Sequence, residues 1–143
     1  MTTVLEIVES LPGRGARVLF APVSVSAGWP SAAQDYYDGD IDLNDFMIKD
    51  RDSTVLVRVA GDSMIRAGIN HNDVLVVNKA EAAVMGDIVI AILAGELTVK
   101  RLAREKTGAV VLKAENPKYP DIRIPPLGDL IIWGVVKGWL HLE

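Results

Sequence analysis

The chain has 143 residues, half of them hydrophobic, a formal net charge of −4 and no cysteine. That length and apolar content suit one folded domain with a real core and exclude wholesale disorder. The lack of cysteine excludes disulfides, thiolate metal sites and a cysteine nucleophile, and no apolar run reaches the ~20 residues of a membrane helix.

The first 20 residues read as a flexible arm. Val4, Ile7 and Val8 would line one face of a short helix that Leu11-Pro12-Gly13 stops. Glu6 and Glu9 stand where a signal peptide would begin with basic residues, so the cytoplasm is the expected compartment. Residues 21–30 follow, with Val23, Val25 and Ala27 alternating with Ser24 and Ser26. This period of two predicts an extended segment. It ends at Ala27-Gly28, two small residues that a narrow groove can approach closely; an ordinary edge strand closing on a turn is the plainer reading.

Ser31 with Gln34 makes a capping box for a helical turn or two, running to Tyr37 and ending at Gly39. Asp42 and Asp45 repeat the spacing, and Leu43, Phe46 and Met47 give a second short helix its apolar side. Phe46 and Met47 are read as core anchors. Residues 31–50 carry six aspartates against Lys49 alone. Such a run is either a solvated face or an acidic docking surface. No basic stripe suited to nucleic acid is present, so direct sequence-specific DNA binding is not expected.

From Thr54 onward the chain reads as strands. Val55, Val57 and Val59 alternate with Leu56 and Arg58; Val74 to Val77 is a short buried strand; Asp87–Leu93 and Glu96–Leu102 flank Ala94-Gly95 as a hairpin. Val110–Lys113, Ile122–Ile124 and Leu130–Val136 complete the set, with Gly134 marking a bulge in the last. The predicted fold is mainly β, a small, curled, partly closed sheet.

Within that scaffold Gly61-Asp62-Ser63-Met64 leaves a strand in a turn that exposes the Ser63 hydroxyl and aims backbone N–H groups at an oxyanion. A hydroxyl needs a base. His71 lies in a polar turn and His141 near the chain end, and a surface position accounts for either. Lys100 is the stronger candidate. Strand alternation leaves two readings open: if Val99 faces the core, Lys100 points to water; if Lys100 is desolvated, its lowered pKa makes a neutral amine able to take the Ser63 proton. Glycine spacing fits neither a dinucleotide fingerprint nor a Walker loop, and the acidic residues and histidines lack metal-ligand spacing. No cofactor and no metal is expected.

A set of short motifs, in order, gives the chain its resemblance. They are Ala27-Gly28-Trp29-Pro30-Ser31, Ile41-Asp42-Leu43-Asn44, Gly61-Asp62-Ser63-Met64-Ile65, Gly86-Asp87-Ile88-Val89-Ile90, Gly95 through Leu102, and Asn116-Pro117. From Val23 onward the chain resembles the LexA/UmuD-type family of self-cleaving serine–lysine peptidases, whose domain is of the LexA/signal-peptidase-like type. The resemblance implies an arm, residues 1–27, removed from a peptidase-like domain, residues 28–143. It implies that Ser63 attacks the carbonyl of Ala27, that Lys100 is the general base, and that N–H groups near Ser63, here assigned to Ser63 and Met64, form the oxyanion hole. It further implies cleavage between Ala27 and Gly28 promoted by the RecA filament on single-stranded DNA. The product, as a homodimer, would serve as accessory subunit to the catalytic subunit of an error-prone translesion polymerase in the SOS response. A short arm in place of a DNA-binding domain speaks against a repressor. Two other readings stand beside it: a non-enzymatic β-rich adaptor using the acidic 31–50 surface, and a signal-peptidase-like enzyme acting in trans.

Overall fold

The computed structural model describes residues 2–8, 17–19, 40–126, 128 and 130–143. The expected boundary after Ala27, the Ala27-Gly28 bond and the Ser31–Gln34 capping box lie outside these residues. The chain divides into two compact units, residues 1–10 with 50–143 and residues 11–49.

In the smaller unit, strand β2 (Arg17–Leu19) pairs antiparallel with β3 (Asp40–Asp42), and helix α1 (Leu43–Met47) follows directly. Asp42 caps this helix as its spacing predicts, its carboxylate accepting from Asn44 N–H at 2.8 Å. Phe46 is not a core anchor: it is 53% exposed, and α1 buries no residue.

The larger unit is an antiparallel sheet that closes on itself. Its strands are β1 (Thr3–Val8), β4 (Thr54–Ala60), β5 (Val74–Asn78), β6 (Ile88–Leu93), β7 (Glu96–Arg104), β8 (Val110–Lys113), β9 (Ile122–Arg123) and β10 (Ile131–Leu140). The order is β1-β4-β5-β10-β6-β7-β8-β9, and β1 also pairs with β7 through Thr3 and Thr98. Six strands therefore form a ring, with β8 and β9 continuing from β7. The short helix expected at Val4, Ile7 and Val8 is instead strand β1, with Val4 opposite Val59 and Glu6 opposite Arg58 across a bulge. Run of β-branched and apolar residues from Thr2 to Val8 and an unfilled edge of β4 decide in favour of pairing.

Two apolar clusters fill the unit. One gathers Val57, Val59, Met64, Ile69, Leu75, Val77, Ile88, Ile90 and Val99. The other gathers Val89, Ala91, Leu102, Leu112 and Val135. Alternate residues of β6 go to opposite clusters, so both faces of the β6–β7 hairpin are covered. The turn between them, Ala94-Gly95, has both residues at positive φ (49° and 78°), as a two-residue hairpin loop requires. The bulge expected in the last strand is present: the β10–β6 register shifts between Ile132 and Gly134. A Cβ on Gly134 would collide with Val77 Cγ1 and approach Asn78 O at 3.3 Å. Gly134→Ala is expected to destabilise the protein by about 1–3 kcal/mol, read as a lower denaturant midpoint with an unchanged slope.

Candidate active site

Strand β4 ends at Gly61, whose φ of 102° turns the chain sharply before Asp62 and Ser63. A 3₁₀ turn, Ile65–Ala67, closes at Gly68 in the left-handed conformation. Ser63 therefore sits on a tight loop, and its side chain is buried rather than exposed as expected.

The loop is braced from one neighbouring segment. Glu115 N–H donates to the Ser63 carbonyl at 2.8 Å, and Asn116 Nδ2 donates to the Asp62 carbonyl at 2.9 Å. Tyr119 Oη donates to Asp62 Oδ1 at 2.5 Å. This bond holds the Asp62 carboxyl below its usual pKa and pushes the Tyr119 phenol above its own. Glu115 is anchored in turn by Arg101, which also donates to Gly86 O at 2.6 Å. Because a trans peptide points its N–H opposite the preceding carbonyl, pinning the carbonyls of Asp62 and Ser63 fixes the direction of the Ser63 and Met64 N–H groups. Asn116-Pro117 and Gly61-Asp62-Ser63-Met64 were visible as motifs; that they bond to each other was not.

Lys100 reaches the same point from β7. Its Nζ lies 3.4 Å from Ser63 Oγ and 5.8 Å from the centre of the Tyr119 ring. The side chain is fully buried, as are its neighbours Thr98 and Val99. The alternation argument offered a core-facing Val99 or a dry Lys100, and here both hold. It treated one face of the strand as solvent, whereas β7 is covered on both. Burial pushes the Lys100 pKa down, because desolvation penalises the ammonium form. Among the described residues no carboxylate pairs with it.

The third contact to Ser63 had no forerunner in the sequence. Thr2 N–H donates to Ser63 Oγ at 2.6 Å. The Thr2 carbonyl accepts from Val99 N–H and from Thr98 Oγ1, each at 3.1 Å.

The histidines lie elsewhere. His71 Nδ1 accepts from Gly61 N–H at 3.2 Å, and His141 Nδ1 lies 2.6 Å from Asp73 Oδ1. Both line an open depression of about 520 Å³ with Gly61, Asp62, Ile65 and Asn70, and Ser63 is not among its lining residues. Among the described residues no cluster of three metal-ligating side chains occurs, and no helix is long and apolar enough to cross a membrane.

Comparison with known proteins gives a consistent picture. The profile of the Peptidase S24-like family matches residues 19–137. The chain is 44% identical over 115 residues to Protein SamA of Salmonella typhimurium, covering 80% of this chain and 79% of that protein. It is 39% identical over 129 residues to Protein ImpA of Escherichia coli, covering 87% and 83%. It is also 42% identical over 119 residues to the LexA repressor of Cupriavidus pinatubonensis, covering 82% of this chain but only 54% of the repressor.

A buried lysine whose folded pKa is lowered makes the unfolded chain the tighter proton binder. Stability contributed by this group therefore rises with pH from the folded pKa up to the unfolded one. Lys100→Met is expected to raise the unfolding temperature at pH 7 by about 3 °C or more, with the gain shrinking as pH approaches ~10. Thermal melts of parent and variant between pH 6 and 10 provide the check.

Proposed function

The chain belongs to the Peptidase S24-like family of self-cleaving serine–lysine peptidases, and from that premise we propose that Ser63 is its nucleophile and Lys100 its general base. The observation that carries the assignment is a fully buried lysine amine within 3.4 Å of a serine hydroxyl. A purely adaptor-like protein has no use for a desolvated lysine lacking a counter-charge, since isolating an ammonium in a protein interior costs several kcal/mol.

The proposed reaction runs through an ester intermediate. Neutral Lys100 takes the Ser63 proton, and Ser63 Oγ attacks the carbonyl carbon of Ala27. The tetrahedral oxyanion is held by the Ser63 and Met64 N–H groups, whose orientation the Glu115 and Asn116 bonds support. Collapse expels the amine of Gly28, which receives the proton from Lys100. Water, again deprotonated by Lys100, then hydrolyses the ester between Ser63 and Ala27. The cut at Ala27-Gly28 is supported by the extended alternation of residues 23–27 and by the small size of both residues.

Within the family we place the chain with the mutagenesis proteins of the UmuD type rather than with repressors. The order and spacing of the motifs from Ala27-Gly28 to Asn116-Pro117 support this. The proposed setting is cytoplasmic, with cleavage stimulated by the RecA filament on single-stranded DNA. The product from Gly28 onward acts as a homodimer and as accessory subunit of an error-prone translesion polymerase.

Two outcomes test the chemistry. Ser63→Ala and Lys100→Ala are each expected to lower self-cleavage by at least about a thousandfold, with Lys100→Arg no better, because arginine keeps its proton. Parental cleavage in either alanine variant would reassign the role. In the parent the rate should climb with pH up to the lowered Lys100 pKa and then level, since ordinary lysine is neutral in only about one molecule in 2,500 at pH 7. The site is tested separately by sequencing the product: a first residue other than Gly28 would move the scissile bond.

A further inference from the structure

We propose that β1 is a non-scissile occupant of the slot between β4 and β7, the same slot the scissile segment must enter, and that its release sets how fast the chain can cut itself. The competition rests on the serine–lysine reading above; the occupancy does not.

Docking of β1 has the form of strand addition, in which an extended backbone bonds to open sheet edges. On one side it pairs along β4 from Thr3 to Val8. On the other, Thr98 and Val99 hold the Thr2 carbonyl, and Ser63 Oγ accepts the Thr2 N–H. This register cannot react. An amide nitrogen rather than a carbonyl carbon faces Oγ, and the neighbouring carbonyl is tied to β7. Nucleophilic attack needs a carbonyl carbon within about 3–3.5 Å of Oγ along an open approach. Thr2 N already stands 2.6 Å from that oxygen. Thr2 and Ala27 therefore cannot occupy the site together.

The hold on β1 is limited. Its link to β7 is the one ladder pair Thr3–Thr98 and the two bonds to the Thr2 carbonyl. Leu5 and Ile7 are about half exposed. The Glu6–Arg58 ion pair, at 2.7 Å, is exposed on both sides. Thr2 Oγ1 is buried with no hydrogen-bond partner among the described residues, which weakens the docked state. Residues 3–8 also precede the region matched by the family profile, residues 19–137. If only chains with a vacated slot can cleave, the observed rate scales with that fraction.

The test uses the full chain and two readouts, the spontaneous cleavage rate and hydrogen exchange at the Val99 amide, which the docked Thr2 carbonyl protects. Glu6→Arg places like charges at Arg58 and loosens β1 without touching the core. Both readouts should rise about two- to fivefold. Glu6→Arg with Arg58→Glu restores the pair and should return both to parental values. Thr2→Val removes the orphan hydroxyl at constant shape and should slow both about fivefold. Val99 exchanging in the parent as fast as in Glu6→Arg would overturn the occupancy. Cleavage that stays constant while Val99 exchange moves would overturn the competition. Absence of cleavage in every chain would overturn the peptidase reading and the competition with it, while Val99 exchange reports separately on whether β1 fills the slot.

Discussion

A buried lysine amine with no counter-charge among the described residues is the constraint on which the rest of this structure depends. Lys100 is fully buried, and its described polar neighbours are a neutral hydroxyl and the face of a tyrosine ring. Such a group stays in place only if water is kept out on every side and if the strand carrying it is fixed. Both conditions are met by covering β7 twice. Val99 packs into one apolar cluster and Leu102 into the other, so the strand cannot slip its register without exposing one of them. The cost of desolvating Lys100 is thus spread over a sheet that is closed by strand pairing rather than by one ion pair.

The two side chains proposed to react are held in different ways. Ser63 sits on a loop whose backbone is bonded to residues 115–119 at Asp62 and at its own carbonyl, and that segment is tied to β7 by Arg101. Lys100 is positioned chiefly by the packing of β7, with its Nζ 3.4 Å from Ser63 Oγ. Hydrogen bonds set direction and packing sets dryness, and the dyad needs the first at the serine and the second at the lysine. Among the described residues Ser63 Oγ also meets Thr2, a contact made by backbone and therefore available to any extended segment.

The strands from Thr54 onward were legible because each depends on local pattern: alternation in β4, positive φ at Ala94-Gly95, a glycine where β10 must pass close to Val77. Ser63 and Lys100 were legible as a pair only through resemblance. Spacing alone left Lys100 between water and core, because a single strand does not reveal that a second apolar cluster will form on its other face. The Asp62–Tyr119 bond joins residues 57 positions apart and has no local signature. The β1 reading failed for a related reason. Val4, Ile7 and Val8 fit a helical face as well as a strand, and a vacant edge on β4 settles the choice only after the sheet exists.

The closing of the ring by β1 connects the fold to the chemistry of Lys100. β1 lies between β4 and β7, and Ser63 Oγ is 2.6 Å from Thr2 N and 3.4 Å from Lys100 Nζ. If the slot emptied into solvent, water would reach the amine, its desolvation would fall and its pKa would return toward that of a free lysine. The nucleophile would then be accessible while its base was protonated. On the proposed reading an occupant is therefore needed at all times: Thr2 to Val8 at rest, and an extended segment carrying a scissile carbonyl during reaction. Exchange of one strand for another keeps Lys100 dry throughout, and changes only whether Ser63 faces an amide nitrogen or a carbonyl carbon. In such an arrangement a stimulus that favours the second strand raises the rate by shifting populations, with no catalytic group of its own.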